Sequence, residues 1–407
     1  LFSAPRICVA LSGPVVLDSG STKHHIFCSK MLPGCNFPVK FERSVRSDAF
    51  GLANRFLKFR DCVTQRHLRP RLVRAKRRFK RLLGPYRLEP LTVHEFLSNY
   101  SGVKLARYTR AAEDYVLNGY NGRVTSFMKD ETFNYSVKGD LTVPRMVFFR
   151  NYTYAGELGR FMKVAEKYIF GRGSISRMCK SRTSPFAKGR NMFERASSIK
   201  AKFSSFTAPH VYMLDATSFE SGVSKFQLLM EFDVYTTLFK NDPHLRELLL
   251  VQLHNVGFST NGVWFSRNNG RLSGDFNTSL GNSVLSLMMF DAFVDNRFKY
   301  DIFLDGDDVL VFTNTPLDVV ELAQFYLDVG HVMKIDGPYY ELNAINFCQS
   351  KIVNGRMVRD YRKVLSTVFT SHHMMNAPVR PRYLATIAPC LMAEFDQVPL
   401  LSYFASA

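Results

Sequence analysis

The stretch Ile302-Phe303-Leu304-Asp305-Gly306-Asp307-Asp308-Val309-Leu310-Val311-Phe312 decides how the rest of the chain is read. Two apolar runs flank an Asp-Gly step, where glycine accepts the positive φ of a tight turn, so the stretch predicts a β-hairpin. It leaves Asp307 and Asp308 at the turn, held rigidly yet open to water. A second apolar run, Val211-Tyr212-Met213-Leu214, ends in Asp215 in the same way. Carboxylates at strand ends suit Mg²⁺, a hard ion that prefers oxygen ligands. Two such ions about 3.5–4 Å apart can activate an attacking hydroxyl and stabilise a leaving pyrophosphate. A Gly-Asp-Asp turn alone is weak evidence, because turns use Gly and Asp constantly.

Working outward, Val223, Phe226, Leu229, Met230 and Val234 recur at helical spacing after Asp215, and Leu280, Val284, Leu287 and Met288 do so after Asn277. A further helix over about 317–329 precedes the short run Met333-Lys334-Ile335, and 156–170 reads as an amphipathic helix upstream. The order strand, helix, loop, helix, hairpin, helix, strand predicts an α+β fold with an antiparallel sheet packed on helices.

The remainder of the chain bounds the possibilities. At 407 residues it is too long for one ordinary core, and 54 Lys and Arg against 35 Asp and Glu give a net charge of +19. Such a field attracts polyanions, either nucleic acid or an anionic membrane. Arg66 to Arg87 carries ten cations with no acid between them, predicting a helical, phosphate-facing segment that stops at Gly84-Pro85, with a solvated arm or membrane-surface helix as the alternative. Residues 1–65 carry no motif. His24, His25, Cys28 and Cys35 lie close together but match no zinc spacing. Seven scattered cysteines without a C-x-x-C pair fit a reducing compartment. No apolar run approaches the roughly 18–20 residues that cross a bilayer. The opening stretch does not read as a signal peptide, and a start at Leu1 is what a cleaved or trimmed product would show.

From Lys129 to about Ser350 the chain resembles the RNA-dependent RNA polymerases of positive-strand RNA viruses, most closely the tombusvirus-like replicases. Lys129-Asp130-Glu131 with Val143-Pro144-Arg145 and Arg150 resembles motif F. Asp215-Ala-Thr-Ser-Phe-Glu220 resembles motif A, and Arg271-Leu-Ser-Gly-Asp-Phe-Asn-Thr-Ser-Leu-Gly-Asn282 motif B. Gly306-Asp307-Asp308 resembles motif C, Met333-Lys334 motif D, and Phe347-Cys348-Gln349-Ser350 motif E; Met357 to Thr367 looks like the stretch that follows.

This resemblance implies a right hand. Residues 1–208 would hold the N-terminal region and fingers, with motif F at 129–150, and 241–270 a fingers insertion. Residues 209–240 and 271–350 would form the palm, and 351–407 a small or truncated thumb. Asp215 and Asp307 would ligate two Mg²⁺ (or Mn²⁺) ions with help from Asp308. Lys129, Arg145 and Arg150 would contact the incoming triphosphate, with Lys138 a weaker candidate. Ser273, Thr278 and Asn282 would sense the ribose hydroxyls, Gly274 would let their loop move with the template, and Lys334 would protonate pyrophosphate. The implied partners are RNA template and product, NTPs, and other viral or host replication factors. The implied place is the host cytoplasm at membrane-associated replication sites, with the membrane reached through a partner or another region.

Two departures stand out. Glu220 occupies a position where the family commonly has Asp, and only about 55 residues follow motif E. Three rivals compete with catalysis on RNA. A reverse transcriptase would carry an aromatic residue in place of Gly306. A basic RNA-binding scaffold would leave the strand-end aspartates unexplained. A folded but inactive palm of a replication complex would rest on Glu220 and the short tail.

Overall fold

The computed structural model describes residues 43–57, 64–85, 87–129, 143–361 and 379–396, with five short strands and a few single residues outside those ranges. In chain order the main helices are α1 (Val45–Gly51), α2 (Arg69–Leu83), α3 (Gly102–Asn118), α4 (Tyr152–Gly171), α5 (Met192–Ser204), α6 (Lys225–Leu238), α7 (Thr278–Val294), α8 (Val319–Val329) and α9 (Val379–Phe395). The strands that position the site are β1 (Arg6–Cys8), β2 (Val124–Met128), β3 (Met146–Arg150), β4 (His210–Ala216), β5 (His254–Ser259), β6 (Trp264–Asn268), β7 (Asp301–Asp305), β8 (Asp308–Thr313) and β9 (Met333–Tyr339). Strands β10 (Asn346–Phe347), β11 (Ser350–Val353) and β12 (Arg356–Arg359) follow.

The helices begin and end where local chemistry dictates. Asn151 caps α4 through Thr153 N–H, and Ser224 with Gln227 forms a capping box at α6. Asp318 caps the start of α8 and Gly330, at φ 105°, ends it. Helix α4 begins four residues upstream of the expected 156–170 and α8 two residues inside the expected 317–329, because the capping residues Asn151 and Asp318 set those boundaries.

Two sheets dominate. A four-stranded antiparallel sheet runs β7–β8–β4–β9, with the hairpin register pairing Asp305 with Asp308. A five-stranded sheet runs β1–β6–β5–β2–β3, antiparallel except between β2 and β5. The segment between the two halves of the four-stranded sheet supplies β5 and β6 to the five-stranded one. A mixed helix and strand architecture with antiparallel sheets is thus observed.

The largest core lies between the four-stranded sheet and helices α2, α4, α6 and α7. Every residue of α7 except Ser279 is buried, as an apolar sequence around the whole helix requires. A buried ion pair fixes the start of β7: Lys202 Nζ lies 3.2 Å from Asp301, which also accepts from Ser181 and Ser205. A second core, on the other face of the sheet, joins α5 to Phe303, Leu310, Phe312 and Phe347.

The basic run is a helix, as predicted, but it is not a free phosphate-facing one. Its Leu72, Ala75, Phe79 and Leu83 are buried against the main core. Arg74 pairs with Asp295 at 2.7 Å, Arg78 with Asp291 at 2.8 Å, and Lys76 with Asp233 at 2.6 Å. Each such partly exposed pair contributes about 0–1 kcal/mol, against about 1.5–3 kcal/mol for each large buried side chain. Apolar burial therefore holds the helix, and acids distant in sequence answer its charge. Among the described residues no helix is long and apolar enough to cross a membrane.

Candidate active site

Three strand ends meet at one edge of the four-stranded sheet. The register that pairs Val309 with Leu214 carries Asp308 and Asp215 to adjacent positions, and β9 pairs Lys334 with Asp215 on the other side. Gly306 makes the hairpin turn at φ 70°, a conformation that costs glycine nothing. Helix α7 clamps that turn: Gly306 N–H donates to Ser283 Oγ at 3.0 Å, and Ser286 Oγ donates to the Gly306 carbonyl at 3.2 Å. Arg195 holds the neighbouring Asp305 at 2.7 Å.

A cavity of about 360 Å³ opens over these ends. It brings together Asp215, Glu220, Asp307, Asp308, Ser273 and Arg145, all singled out from sequence. Burial raises the Asp307 carboxyl to about 7, aided by the negative charge of Glu220, Asp308 and Asp215. Asp308 is also raised, by burial above all and then by Asp215 and Asp305. The crowded carboxylates repel one another, and a divalent cation would relieve that repulsion. All the donors are oxygens, the chemistry such an ion prefers. The donor set therefore fits Mg²⁺ or Mn²⁺, although among the described residues no three His, Cys, Asp or Glu side chains are grouped as a metal cage.

Other expected residues lie elsewhere. Arg150 does not face this cavity: its side chain is 1% exposed and pairs with Asp275 at 2.8 Å, with a further bond to the Gly122 carbonyl. Arg150 thus forms a buried brace between β3 and the segment after Gly274. Lys129 is exposed, does not line the cavity, and donates its backbone N–H to the Arg145 carbonyl. Thr278 is buried and spends its hydroxyl proton on the Leu272 carbonyl at 2.6 Å. Asn282 is buried behind the cavity, its amide 3.5 Å from Glu220 Oε1 and its Oδ1 without a hydrogen-bond partner. Glu220 thus holds a carboxylate within reach of Asn282.

Gly274 has a steric role in addition to any mobility: a Cβ there would stand 1.9 Å from the Phe148 carbonyl oxygen. Lys334 is exposed at the rim, and its 2.9 Å bond to Asp336 raises its pKa instead of tuning it down. Asp130, Glu131, Lys138, His24, His25 and Cys35 lie outside the described residues, as does the end of the 357–367 stretch.

Four contributors were given no role from the sequence, although Arg271 and Gln349 stand in the stretches resembling motifs B and E. Arg55 and Phe56, just after α1, form one wall of the cavity, with Phe56 stacked 4.3 Å from Phe148. Gln349 lines it from the β10–β11 turn. Arg271 stands on its floor, 1% exposed, in a buried ion pair with Glu231 of α6. Arg271 and Glu231 occupy the space beside Gly281, where a side chain would collide with both.

Comparison with known proteins agrees with this geometry. A family model described as viral RNA dependent RNA polymerase matches residues 42–407. The RNA-directed RNA polymerase of Carnation mottle virus is 30% identical over 345 residues, covering 81% of this chain and 44% of that protein. The same-named protein of Tomato bushy stunt virus (strain Cherry) is 33% identical over 291 residues, covering 67% of this chain and 34% of that protein. That of Tobacco necrosis virus (strain A) is 29% identical, covering 78% and 45% respectively. The chain spans less than half the length of these curated relatives. With three carboxylates at one sheet edge and a family match from residue 42 to the last residue, the chain belongs to the viral RNA-dependent RNA polymerase family.

Proposed function

We propose that this chain is an RNA-directed RNA polymerase that copies a viral RNA by nucleotidyl transfer. The observation that carries the reading is the single cavity holding Asp215, Asp307 and Asp308 beside Arg145 and Ser273. A 3′-hydroxyl attacks the α-phosphate of an incoming NTP, the new phosphodiester forms, and pyrophosphate leaves. Asp215 and Asp307 would hold two Mg²⁺ or Mn²⁺ ions, with Asp308 assisting; bound ions supply hydroxyl activation and charge neutralisation.

The remaining work falls to the chain. Arg145 places a fixed cation at the cavity, where it offsets charge growing on the leaving group. Ser273 presents a hydroxyl that can both donate and accept, which lets it read a ribose hydroxyl. Glu220, steadied by Asn282, bounds the sugar from the other side. Lys334 carries a proton at the rim, available to pyrophosphate once Asp336 is displaced.

In this reading the four-stranded sheet is the palm and the five-stranded sheet, fed by residues 241–270, the core of the fingers. The β10–β12 sheet and α9 lead into a small thumb. RNA template, product and NTPs are the partners, and replication factors would bring the chain to cytoplasmic membranes. The test is extension of a short primed RNA template with labelled NTPs and Mg²⁺ or Mn²⁺, beside Asp307→Ala. Template-dependent extension lost in the variant is the expected result. RNA binding without extension under either metal would favour the inactive palm or scaffold.

A further inference from the structure

The five-stranded sheet has one face in a core and one that is aromatic where water is expected. Val124, Met128, Met146, Phe148 and Phe265 point inward into a buried cluster. An antiparallel sheet with one solvated face normally alternates apolar with polar residues. Here the register aligns Phe149 with Thr125, Thr125 with Phe258, and Phe258 with Trp264. Cross-strand partners share a face, so these four residues form one row across β3, β2, β5 and β6. Phe127 sits beside the row, its ring 5.9 Å from Phe149. Phe258 and Val256 of the same face are each 41% exposed.

At the β3 end the row runs into a cavity of about 350 Å³ whose lining includes Phe127 and Phe149, Lys104 and Arg107 of α3, and Phe276. A second cavity shares Arg107 and Tyr152 with it and adds Arg110, with one carboxylate, Asp114. Rings that accept any base and cations that follow a backbone are the two components of a single-strand binding surface. Strands stand about 4.8 Å apart, so four of them span about 14 Å, room for two or three stacked bases. The same cavity contains Gly274 and Asp275, next to the Ser273 that faces the acidic site.

We infer that this outer sheet face, with the α3 cations at its end, is a stacking platform for single-stranded RNA on its way to or from the acidic cavity. The inference rests on the reading of the chain as an enzyme acting on RNA, but it requires no catalysis. Charge decides for RNA over a protein partner: Lys104, Arg107 and Arg110 of α3 line the two cavities against Asp114, the second acid, Asp275, being paired with Arg150, on a chain of net charge +19.

The test uses the fact that Trp264 is the one tryptophan of the chain. A single-stranded uridine octamer is titrated against the intact protein while Trp264 emission and the anisotropy of a labelled octamer are followed. Stacking should quench Trp264 with the single strand and leave it unchanged with the same length of duplex. Phe149→Ala with Phe258→Ala should weaken single-strand affinity about 10- to 100-fold. Lys104→Glu with Arg107→Glu should flatten the salt dependence by roughly one to two units of slope. Phe258→Ala alone, at an exposed position, guards against a folding defect and should still weaken binding about fivefold or more. Extension is measured beside binding for the parent and each platform variant: loss of extension with octamer affinity unchanged bears on the acidic cavity alone, so failed extension and failed platform binding are told apart. Unchanged affinity in both double variants, or equal quenching by duplex, overturns the inference.

Discussion

Asp275→Asn separates two roles for Arg150. The Arg150 and Asp275 side chains are 1% and 3% exposed and meet at 2.8 Å. Removing one partner's charge leaves a guanidinium uncompensated in a dry site, which costs about 3–5 kcal/mol. An unfolding entropy of about 2 cal/mol/K per residue gives roughly 0.85 kcal/mol/K for the chain's 407 residues. The melting temperature should therefore fall by about 4–6 °C. Because the pair ties β3 to the segment bearing Ser273, kcat for extension should fall as well, with KM for NTP changed less than about threefold. Arg150→Met combined with Asp275→Leu should recover part of the lost stability, since an apolar pair of similar volume often replaces a buried ion pair at little cost. The assays are a thermal melt and steady-state extension at varied NTP. A melt within about 1 °C of the parent, together with a KM raised about tenfold, would show that Arg150 serves the triphosphate, and the brace would be refuted.

The other predictions concern the acidic cavity and its surroundings. Asp307 is raised to about 7 from an ordinary value near 3.8. Protonation of the folded form therefore stabilises it fully below the ordinary value, and that contribution is lost as pH rises through about 7. Added Mg²⁺ should raise the melting temperature more at pH 8 than at pH 6, and Asp307→Asn should remove the difference; a pH-independent Mg²⁺ effect would sink the idea. Gly274→Ala puts a methyl 1.9 Å from the Phe148 oxygen, so the loop must move; extension should drop about 100-fold, and near-parental activity would contradict the crowding. Asp336→Asn removes the partner that raises Lys334. If Lys334 is the acid, the alkaline limb of the kcat profile should move to lower pH, and an unmoved limb argues for another proton donor.

Much of this was legible in the sequence because it is local. The hairpin at 302–312, the strand ending at Asp215 and the helices over 225–238 and 278–294 all follow from apolar period and turn chemistry. What stayed hidden depends on partners distant in the chain. Arg66 to Arg87 reads as a bare cationic run because Asp233, Asp291 and Asp295, which neutralise part of it, lie about 150–220 residues away. Arg150 and Arg145 are equivalent by residue type, yet one is sealed by Asp275 and the other opens on the cavity. Ser283 and Ser286 are small residues on an otherwise apolar helix, and only the folded chain sets the Gly306 turn against them. Periodicity assigns faces; it does not say which face meets which.

Helix α7 also constrains how such a sequence can drift. Its N-terminal end carries Thr278 and Asn282, its middle clamps the aspartate turn, and its sides are enclosed by core throughout. Exchanges along 280–294 are thus confined to swaps of nearly equal volume, since one lost methylene in a close-packed interior is felt. Diversification of what the cavity accepts must fall on lining side chains outside the helix and its buried ion pairs, such as Ser218, Ser273 and Gln349, and on the wall at Arg55 and Phe56. Lineages under pressure to change substrate preference should accumulate substitutions there while the helix behind stays nearly fixed in size.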